Sequence, residues 1–156
     1  YCKGFIHNGS HLINLLNLLI GEIEKADFYD EIADFYENDK TKSVVLTFKN
    51  GTKITMQGSD CRNYTIFEAD LIFEKARIRI INSGFEIEIY EVKESDKFKG
   101  YYNLFLKEKI KTDLDFALSN AVQNAVDFLN GREDLNCTLN DGINAIMIPS
   151  PLAGEG

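Results

Sequence analysis

The chain has 156 residues, of which 44% are apolar and 27% charged, a composition typical of a soluble globular protein with one sizeable core. Its net charge of −8 argues against broad binding to nucleic acid or to an anionic membrane surface, because phosphate groups would be repelled. We therefore expect no nucleic-acid partner and no membrane partner. No apolar run reaches the length of a membrane span and no signal peptide opens the chain, which favours a cytoplasmic protein.

The cysteine pattern favours the same compartment. Cys2, Cys61 and Cys137 are odd in number, far apart and without any Cys-x-x-Cys pairing. Such a pattern is typical of reduced thiols rather than of a disulfide framework. The first residue is Tyr1 rather than methionine, which is consistent with a trimmed part of a longer protein.

The first predicted element is a helix. The run "LINLLNLLI", from Leu12 to Ile20, is hydrophobic nearly all round, and a helix of that kind is normally buried. Asn8 or Ser10 is suited to cap its start, and Gly21 to end it.

Alternating strands are predicted next. We expect a strand near Ile23–Tyr29 and a solvated loop over residues 37–42. The segments "SVVLTF" and "KITM" then flank an Asn50-Gly51 turn, which is the strongest hairpin signal in the chain. The predicted buried face of the first of these two strands consists of Val44, Leu46 and Phe48.

Three further strands are predicted within "TIFEADLIF", "ARIRII" and "FEIEIYEV". Short turns at Glu74-Lys75 and at Ser83-Gly84 join them. The second turn sets a register in which Arg79 lies opposite Glu88, a favourable cross-strand pair. On the other face the same register pairs Ile80 with Ile87 and Ile78 with Ile89.

The pattern then becomes helical. One helix is predicted from Thr112 or Asp113 to a stop at Gly131, and a shorter one from Asn140 to Met147, ended by Pro149. Residues 149–156 are predicted to be a disordered tail. The apolar stripe of the longer helix consists of Leu114, Ala117, Leu118, Ala121, Val122, Ala125 and Leu129.

This order of elements predicts the fold class. A helix, then a run of hairpin-joined strands, then two helices is typical of an α+β protein with an open, mixed but antiparallel-rich sheet. We expect the helices to pack on one face of that sheet, within a single domain over residues 1–148.

The two histidines are the main candidates for chemistry. His7 and His11 lie four residues apart, which would place both on one helical face, as in metal sites. Gly9 separates them, however, and the spacing fixes no third ligand, so we expect no metal. Two alternatives stay open from the residues alone. Both histidines could be structural, or His11 could act as an acid or base, since histidine titrates near neutral pH and suits proton transfer from an alcohol.

A resemblance to a known family adds to this picture. The segment "GSHLINLLNLLIGE" resembles the start of the C-terminal domain of the Gfo/Idh/MocA oxidoreductases, the glucose–fructose oxidoreductase and inositol dehydrogenase family. The strands of "FEADLIFEKARIRIINSGFEIEIYE" and the late segments "LSNAVQNAVDFLNG" and "CTLNDGINAIMI" are also similar to that family. The resemblance covers most of residues 4–148 and implies a fold like the C-terminal domain of glyceraldehyde-3-phosphate dehydrogenase.

The resemblance implies roles for both histidines. His11 matches the family's histidine that takes the proton from the substrate hydroxyl during hydride transfer. His7 stands where many members carry an aspartate, so the usual Asp–His arrangement is altered, and a contact with a sugar hydroxyl is implied instead. The family's N-terminal Rossmann domain, with its glycine-rich loop and catalytic lysine, has no counterpart in this sequence. NAD or NADP is therefore implied for the full-length protein and no cofactor for this chain.

The sequence thus predicts the substrate-binding and oligomerisation domain of an NAD(P)-dependent oxidoreductase acting on CH-OH groups of a sugar or sugar derivative, inactive without its Rossmann domain. The alternative is a stand-alone, non-catalytic binding or scaffold module of the same fold.

We also expect a homodimer through the open face of the sheet. Charged residues of that face are suited to reciprocal pairing across a two-fold axis: Arg77, Arg79, Glu86 and Glu88. Apolar residues predicted on the same face are Val45, Ile66, Ile72, Ile81 and Tyr90.

Overall fold

The structure is a computed structural model that describes residues 1–148. The predicted tail, residues 149–156, lies outside the described residues. The described chain groups into two compact units. Unit 1 comprises Tyr1–Ile66 together with residues 135–148, and unit 2 comprises Phe67–Asp134. A single domain over residues 1–148 stays a prediction.

Unit 1 combines two α-helices with a three-stranded antiparallel sheet in the order β1-β2-β3. A π-helical segment precedes the first helix without a break. The elements are the π-helical segment Gly4–Gly9, α1 Ser10–Ile20, β1 Ile23–Tyr36, β2 Asp39–Phe48, β3 Lys53–Met56 and α3 Leu139–Ile146.

The core of unit 1 lies against one face of this sheet. Val44, Leu46 and Phe48 are completely buried, as predicted. The predicted Asn50-Gly51 turn is also confirmed, since Leu46 pairs with Ile54 across it and Gly51 takes a left-handed φ of 85°.

The predicted loop over residues 37–42 is wrong. β1 continues to Tyr36 and β2 begins at Asp39, so that only Glu37 and Asn38 form the turn. The segment looked like a loop because its side chains are polar. In the structure Thr41 is fully buried and hydrogen-bonded, so polarity here marks an internal network rather than solvent.

The predicted burial of α1 holds for one face only. Leu12, Ile13 and Leu16 are buried, whereas Leu18 is 82% exposed and Leu19 is 51% exposed. The predicted end is confirmed, because the N–H of Gly21 donates to the carbonyl of Asn17 at 3.0 Å with a φ of 115° at Gly21.

Unit 2 contains a four-stranded antiparallel sheet in the order β4-β5-β6-β7 and one α-helix. The predicted register is confirmed, since Arg79 pairs with Glu88 and the isoleucines pair as expected. Short 3₁₀ turns, Asn82–Gly84 and Leu114–Phe116, lie after β5 and before the helix. The elements are β4 Ala69–Ile72, β5 Ala76–Ile81, β6 Glu86–Glu94, β7 Tyr102–Lys111 and α2 Ala117–Leu129.

Strand β7 was not predicted. Its lysines and glutamates obscure the alternation of Leu104 and Leu106, and an irregularity beside Lys107 breaks the period of two. The cross-strand charges supply the missing signal, because Lys109 reaches Glu86 at 2.6 Å on the neighbouring strand.

The apolar stripe predicted for α2 is present, but its leucine and valine side chains are exposed in the described chain. Leu118 is 80% exposed, Val122 59% and Leu129 82%. Asn124 is instead the buried residue of this helix, and its side-chain amide donates to the carbonyl of Asp134 at 3.0 Å. Amphipathic periodicity therefore predicted the helix correctly and its buried face wrongly.

The α+β class with open antiparallel sheets is confirmed. Two separate sheets replace the single broad sheet that the strand pattern suggested. Every pairing of the described strands is antiparallel.

Candidate functional site

The two histidines lie on one continuous helical segment. His7 is in the π-helical segment and His11 is in the first turn of α1, and both side chains are exposed. Helical backbone extends back to Gly4, well before the cap that was predicted at Asn8 or Ser10. The local fold thus presents both imidazoles to solvent from one rigid element of unit 1.

Asp39 fixes the start of this segment. Its carboxylate accepts the backbone N–H of Ile6 at 2.9 Å and that of His7 at 2.8 Å. These are N–H groups that the first turn of a helix leaves without an intrahelical partner. The negative charge of Asp39 also interacts favourably with the positive N-terminal end of the helix dipole. The cap was predicted to come from Asn8 or Ser10, but it comes from the first residue of β2.

A second carboxylate holds the residues just before the segment. Asp34 accepts the N–H of Lys3 at 2.7 Å and the hydroxyl of Thr41 at 2.9 Å, and Thr41 Oγ1 accepts the N–H of Gly4 at 2.8 Å. Burial raises the pKa of Asp34, but the hydrogen bonds from Lys3, Phe35 and Thr41 together outweigh it and lower that pKa. Asp34 is therefore an ionised anchor for the entry to the helical segment.

Two glycines allow the segment to approach its neighbours closely. A Cβ at Gly4 would collide with the carboxylate of Asp39, and its φ of 87° is left-handed. A Cβ at Gly9 would lie 2.9 Å from a ring atom of Tyr1. The glycines around the histidines thus serve packing, not phosphate binding.

Aromatic rings adjoin His7. The ring centroids of His7 and Tyr36 are 5.0 Å apart, and those of Phe35 and Tyr36 are 4.9 Å apart. Lys3 Nζ lies 5.1 Å from the centroid of the Phe35 ring. His7 therefore stands beside an aromatic surface at the end of β1, with one cation at its edge.

His11 differs from His7 in its surroundings. Within the described residues its imidazole makes no hydrogen bond, ion pair or ring contact. The structure consequently leaves both ring nitrogens of His11 available to a ligand.

Among residues 1–148 the structure contains no group of three or more histidine, cysteine, aspartate or glutamate side chains arranged to hold a metal ion. The helical spacing of the two histidines therefore has no supporting ligand set in this part of the chain.

Sequence reasoning missed the residues that build this site. Asp34, Asp39 and Thr41 fall in or beside the segment that was taken for a solvated loop. In the structure, burial alternates along β1 through Ile32, Asp34 and Tyr36, but the polar Asp34 interrupts the apolar alternation, so the residue types alone did not predict the continuation of the strand.

No known family model and no curated protein sequence matches this chain. Solved structures do. UDP-N-acetylglucosamine 3-dehydrogenase GnnA from Acidithiobacillus ferrooxidans matches with a TM-score of 0.68 and 15% identity, over 89% of this chain and 45% of that one. The WlbA dehydrogenase from Bordetella pertussis, in complex with NADH and UDP-GlcNAcA, matches with a TM-score of 0.57 and 15% identity, over 91% and 39%. An NAD-binding protein from Listeria innocua matches with a TM-score of 0.57 and 19% identity, over 92% and 42%.

These neighbours are dehydrogenases of the Gfo/Idh/MocA type, and the likeness extends over about nine tenths of this chain. The chain has their C-terminal-domain fold. It spans about half or less of the length of the structures it matches. The likeness in fold agrees with the resemblance that the histidine segment carries in the sequence.

The described part of this chain does not fit a dinucleotide. Nucleotide-binding folds place a glycine-rich turn between a strand and a helix of a parallel β-α-β unit. All strand pairings within residues 1–148 are antiparallel, and Gly4 and Gly9, beside the histidines, pack against Asp39 and Tyr1 respectively.

No helix of the described chain is long and apolar enough to cross a membrane.

Proposed function

We propose that this chain is the substrate-binding and oligomerisation domain of an NAD(P)-dependent oxidoreductase that acts on a sugar or sugar derivative. The likeness in fold to GnnA and WlbA over about nine tenths of the chain supports the proposal most strongly. The cofactor would be held by an N-terminal Rossmann domain of the parent protein, since the described residues do not fit it. Free thiols at Cys2, Cys61 and Cys137 support a cytoplasmic location.

His11 is the proton acceptor in this proposal. Oxidation of an alcohol requires removal of the hydroxyl proton, and a neutral imidazole accepts it near physiological pH. The exposed ring of His11 has the freedom to contact such a hydroxyl, while Asp39 holds the helical segment that carries it.

His7 contributes to substrate binding. Its imidazole can donate to or accept from a sugar hydroxyl. The neighbouring rings of Tyr36 and Phe35 offer an apolar surface on which the C–H face of a sugar ring can pack.

A nucleotide sugar is the first probe of this site. We expect UDP-N-acetylglucosamine, the sugar nucleotide in the name of GnnA, to shift the imidazole signals of His11 and His7 in NMR spectra of the full chain. The variants His11→Gln and Tyr36→Leu should each weaken the saturable shift. The matched control Tyr29→Leu changes a tyrosine of the same strand that bonds Gln57 instead and should leave the shift unchanged. Shifts confined to residues away from Gly4–Ile20 would contradict the assignment.

Cofactor binding provides a second test. We expect neither NADH nor NADPH to bind the 156-residue chain, because no described loop cradles a pyrophosphate. Fluorescence titration with each nucleotide measures this, and saturable binding at micromolar concentration would overturn the assignment of the cofactor to another domain.

We further propose a homodimer through one face of the unit 2 sheet. Strand register places the exposed side chains of Ile72, Tyr102, Leu104 and Leu106 on the same face as Tyr90. Ile72 on the edge strand β4 is 76% exposed and Leu106 on the opposite edge strand β7 is 54% exposed. Exposed apolar side chains gathered on one face of a sheet mark an interaction surface.

The charges of this face are already engaged within the chain. The carboxylate of Asp70 accepts a hydrogen bond from Arg77 Nε at 2.8 Å. The carboxylate of Glu88 accepts hydrogen bonds from Arg79 Nη1 at 3.1 Å and from the Tyr90 hydroxyl at 2.7 Å. An interface here therefore draws on the apolar half of the face rather than on reciprocal pairing of these arginines.

Sedimentation tests the dimer. We expect a dimer at tens of micromolar and a monomer for Leu106→Glu, because a charge on each copy would be buried against the other. Ile110→Glu is the matched control, since it lies on the same strand but on the opposite face and should leave the dimer intact. A wild-type monomer, or a dimer that survives Leu106→Glu, would exclude this interface.

A stand-alone binding or scaffold module is the second candidate. The reading frame upstream of Tyr1 discriminates the two, because a β-α-β unit with a glycine-rich loop is expected there only for an oxidoreductase.

A further inference from the structure

Lys3, directly before the helical segment, has a strained backbone. Its φ of 62° and ψ of 53° are left-handed, a conformation that costs free energy for any residue with a Cβ. The other non-glycine residues of the described chain with a positive φ are Asn82 and Ser83, which form the turn between β5 and β6. Lys3 lies in no such hairpin turn, so its conformation has another origin.

Hydrogen bonds and packing on both sides impose this conformation on position 3. Asp34 accepts the N–H of Lys3 at 2.7 Å, and Thr41 Oγ1 accepts the N–H of Gly4 at 2.8 Å. Cys2, on the other side, is completely buried. A glycine at position 3 would adopt the same backbone without strain. A lysine there therefore lowers stability, and strained residues of this kind are common in binding and catalytic sites.

The ammonium group of Lys3 lies beside the aromatic surface of the proposed sugar site. Its Nζ is 5.1 Å from the centroid of the exposed Phe35 ring, which contacts Tyr36, and Tyr36 in turn contacts His7. The contact of a cation with an exposed ring stabilises by less than a left-handed backbone costs, so it does not by itself account for the lysine. Among the described residues Lys3 Nζ forms no ion pair, and its charge is available to a ligand.

The charge pattern of the sequence favours an anion at this position. The chain has 25 acidic residues and a net charge of −8, yet residues 1–21 contain none of them. The basic residues of that stretch are Lys3, His7 and His11. The nearby strand carboxylates, Asp34 and Asp39, accept backbone N–H groups and do not pair with Lys3 Nζ. The exposed titratable side chains of the stretch are therefore basic.

We propose that Lys3 selects an anionic sugar as the substrate, with its ammonium group pairing with a carboxylate or phosphate of a sugar whose ring contacts His7 and the neighbouring aromatic rings. This inference rests on the proposed function and names its substrate class. A lysine ammonium binds carboxylates and phosphates through charge-assisted hydrogen bonds. Neutral sugars lack this contact and bind more weakly.

Three probes of similar size test the role of Lys3. Glucuronate carries a carboxylate, glucose 1-phosphate carries a phosphate, and glucose carries neither. In NMR titrations of the full chain, we expect the anionic probes to shift the imidazole signals of His7 and His11 with an affinity about tenfold higher than that of glucose, the usual size of a hydrogen bond to a charged group. The tighter of the two anionic probes identifies the recognised group as a carboxylate or a phosphate.

Variants at position 3 separate the charge from the strain. Lys3→Met should remove the preference for anionic probes and leave the affinity for glucose unchanged, whereas Lys3→Arg should keep the preference. Lys3→Gly removes both charge and strain, so it should abolish the preference while raising the midpoint of urea unfolding. Lys53→Met, at an exposed lysine of β3, is the matched control and should change neither quantity.

The outcomes distinguish this inference from the proposed function. Equal binding of glucose and the anionic probes, or a preference that survives in Lys3→Met, would overturn the role of Lys3 and leave the proposed function intact. A lower unfolding midpoint in Lys3→Gly would contradict the strain at this position. Histidine signals that none of the three probes shifts would overturn the proposed function, and this inference with it.

Discussion

At the residue scale, the site depends on side chains that hydrogen-bond to the backbone of residues 3–7, at the start of the helical segment that carries both histidines. Asp34, Asp39 and Thr41 accept hydrogen bonds from four backbone N–H groups, those of Lys3, Gly4, Ile6 and His7. None of the three was recognised from the sequence, because capping by a distant strand leaves no local motif. Only the histidines themselves and Gly21 were identifiable in advance.

Gly4 offers a sharp test of this packing. We expect Gly4→Ala to lower the free energy of unfolding by about 3 kcal/mol or more, because it adds a collision with Asp39 to the strain of a left-handed φ. Gly51→Ala is the matched control. Its φ of 85° is nearly the same but a Cβ there meets open space, so the cost should be about 1 kcal/mol. Urea unfolding measures both, and equal costs would contradict the close approach to Asp39.

The lowered pKa of Asp34 makes the free energy of unfolding depend on pH. Its pKa is lower in the folded chain than the ordinary value of about 4, so its contribution is present above that pH and is lost as the pH falls. We expect Asp34→Asn to destabilise the chain at pH 6 by about 2 kcal/mol and by clearly less at pH 3. Denaturant unfolding at the two pH values measures this, and a penalty independent of pH would show that the charge is not involved.

At the element scale, local sequence patterns predicted where helices and strands form better than they predicted which residues those elements contact. The Asn50-Gly51 hairpin and the register of β5 with β6 follow from turn residues and alternation alone. The continuation of β1 and β2 toward Asp39, and the whole of β7, were missed because buried hydrogen bonds and cross-strand ion pairs replace apolar alternation there.

The apolar stripe of α2 was predicted to be buried but is exposed in the structure, and the cost of truncating its side chains tests this difference. A buried leucine costs about 2–5 kcal/mol when cut to alanine. Leu118 is 80% exposed, so we expect Leu118→Ala to change the free energy of unfolding of the monomeric chain by about 0.5 kcal/mol or less. Leu16→Ala, at a residue that is 2% exposed, should show the full core penalty. A large loss at Leu118 would mean that this stripe is covered after all.

The start of α3 carries a capping box formed by Thr138 and Asp141. Thr138 accepts the N–H of Asp141 at 3.3 Å, and Asp141 accepts the N–H of Thr138 at 2.7 Å. We expect Thr138→Ala to cost about 1 kcal/mol and Thr138→Ser to cost clearly less, because serine keeps the hydroxyl. Thermal unfolding compares the two, and equal losses would indicate that the methyl group rather than the cap matters.

At the scale of the whole molecule, the α+β class and the family fold could be predicted from the order of elements and from the segment around His11. Faces that depend on distant parts of the chain could not, as the stripe of α2 and the ion-paired face of the unit 2 sheet show. Such faces are set by long-range packing, which leaves little trace in local sequence periodicity.

We propose that His11 takes the substrate proton in a parent oxidoreductase. Turnover of the parent protein, with its nucleotide-binding domain, tests it most directly. We expect His11→Ala to lower turnover by roughly two to four orders of magnitude while cofactor affinity barely changes, and His7→Ala to lower turnover less. Small and equal effects of the two substitutions on turnover would contradict it.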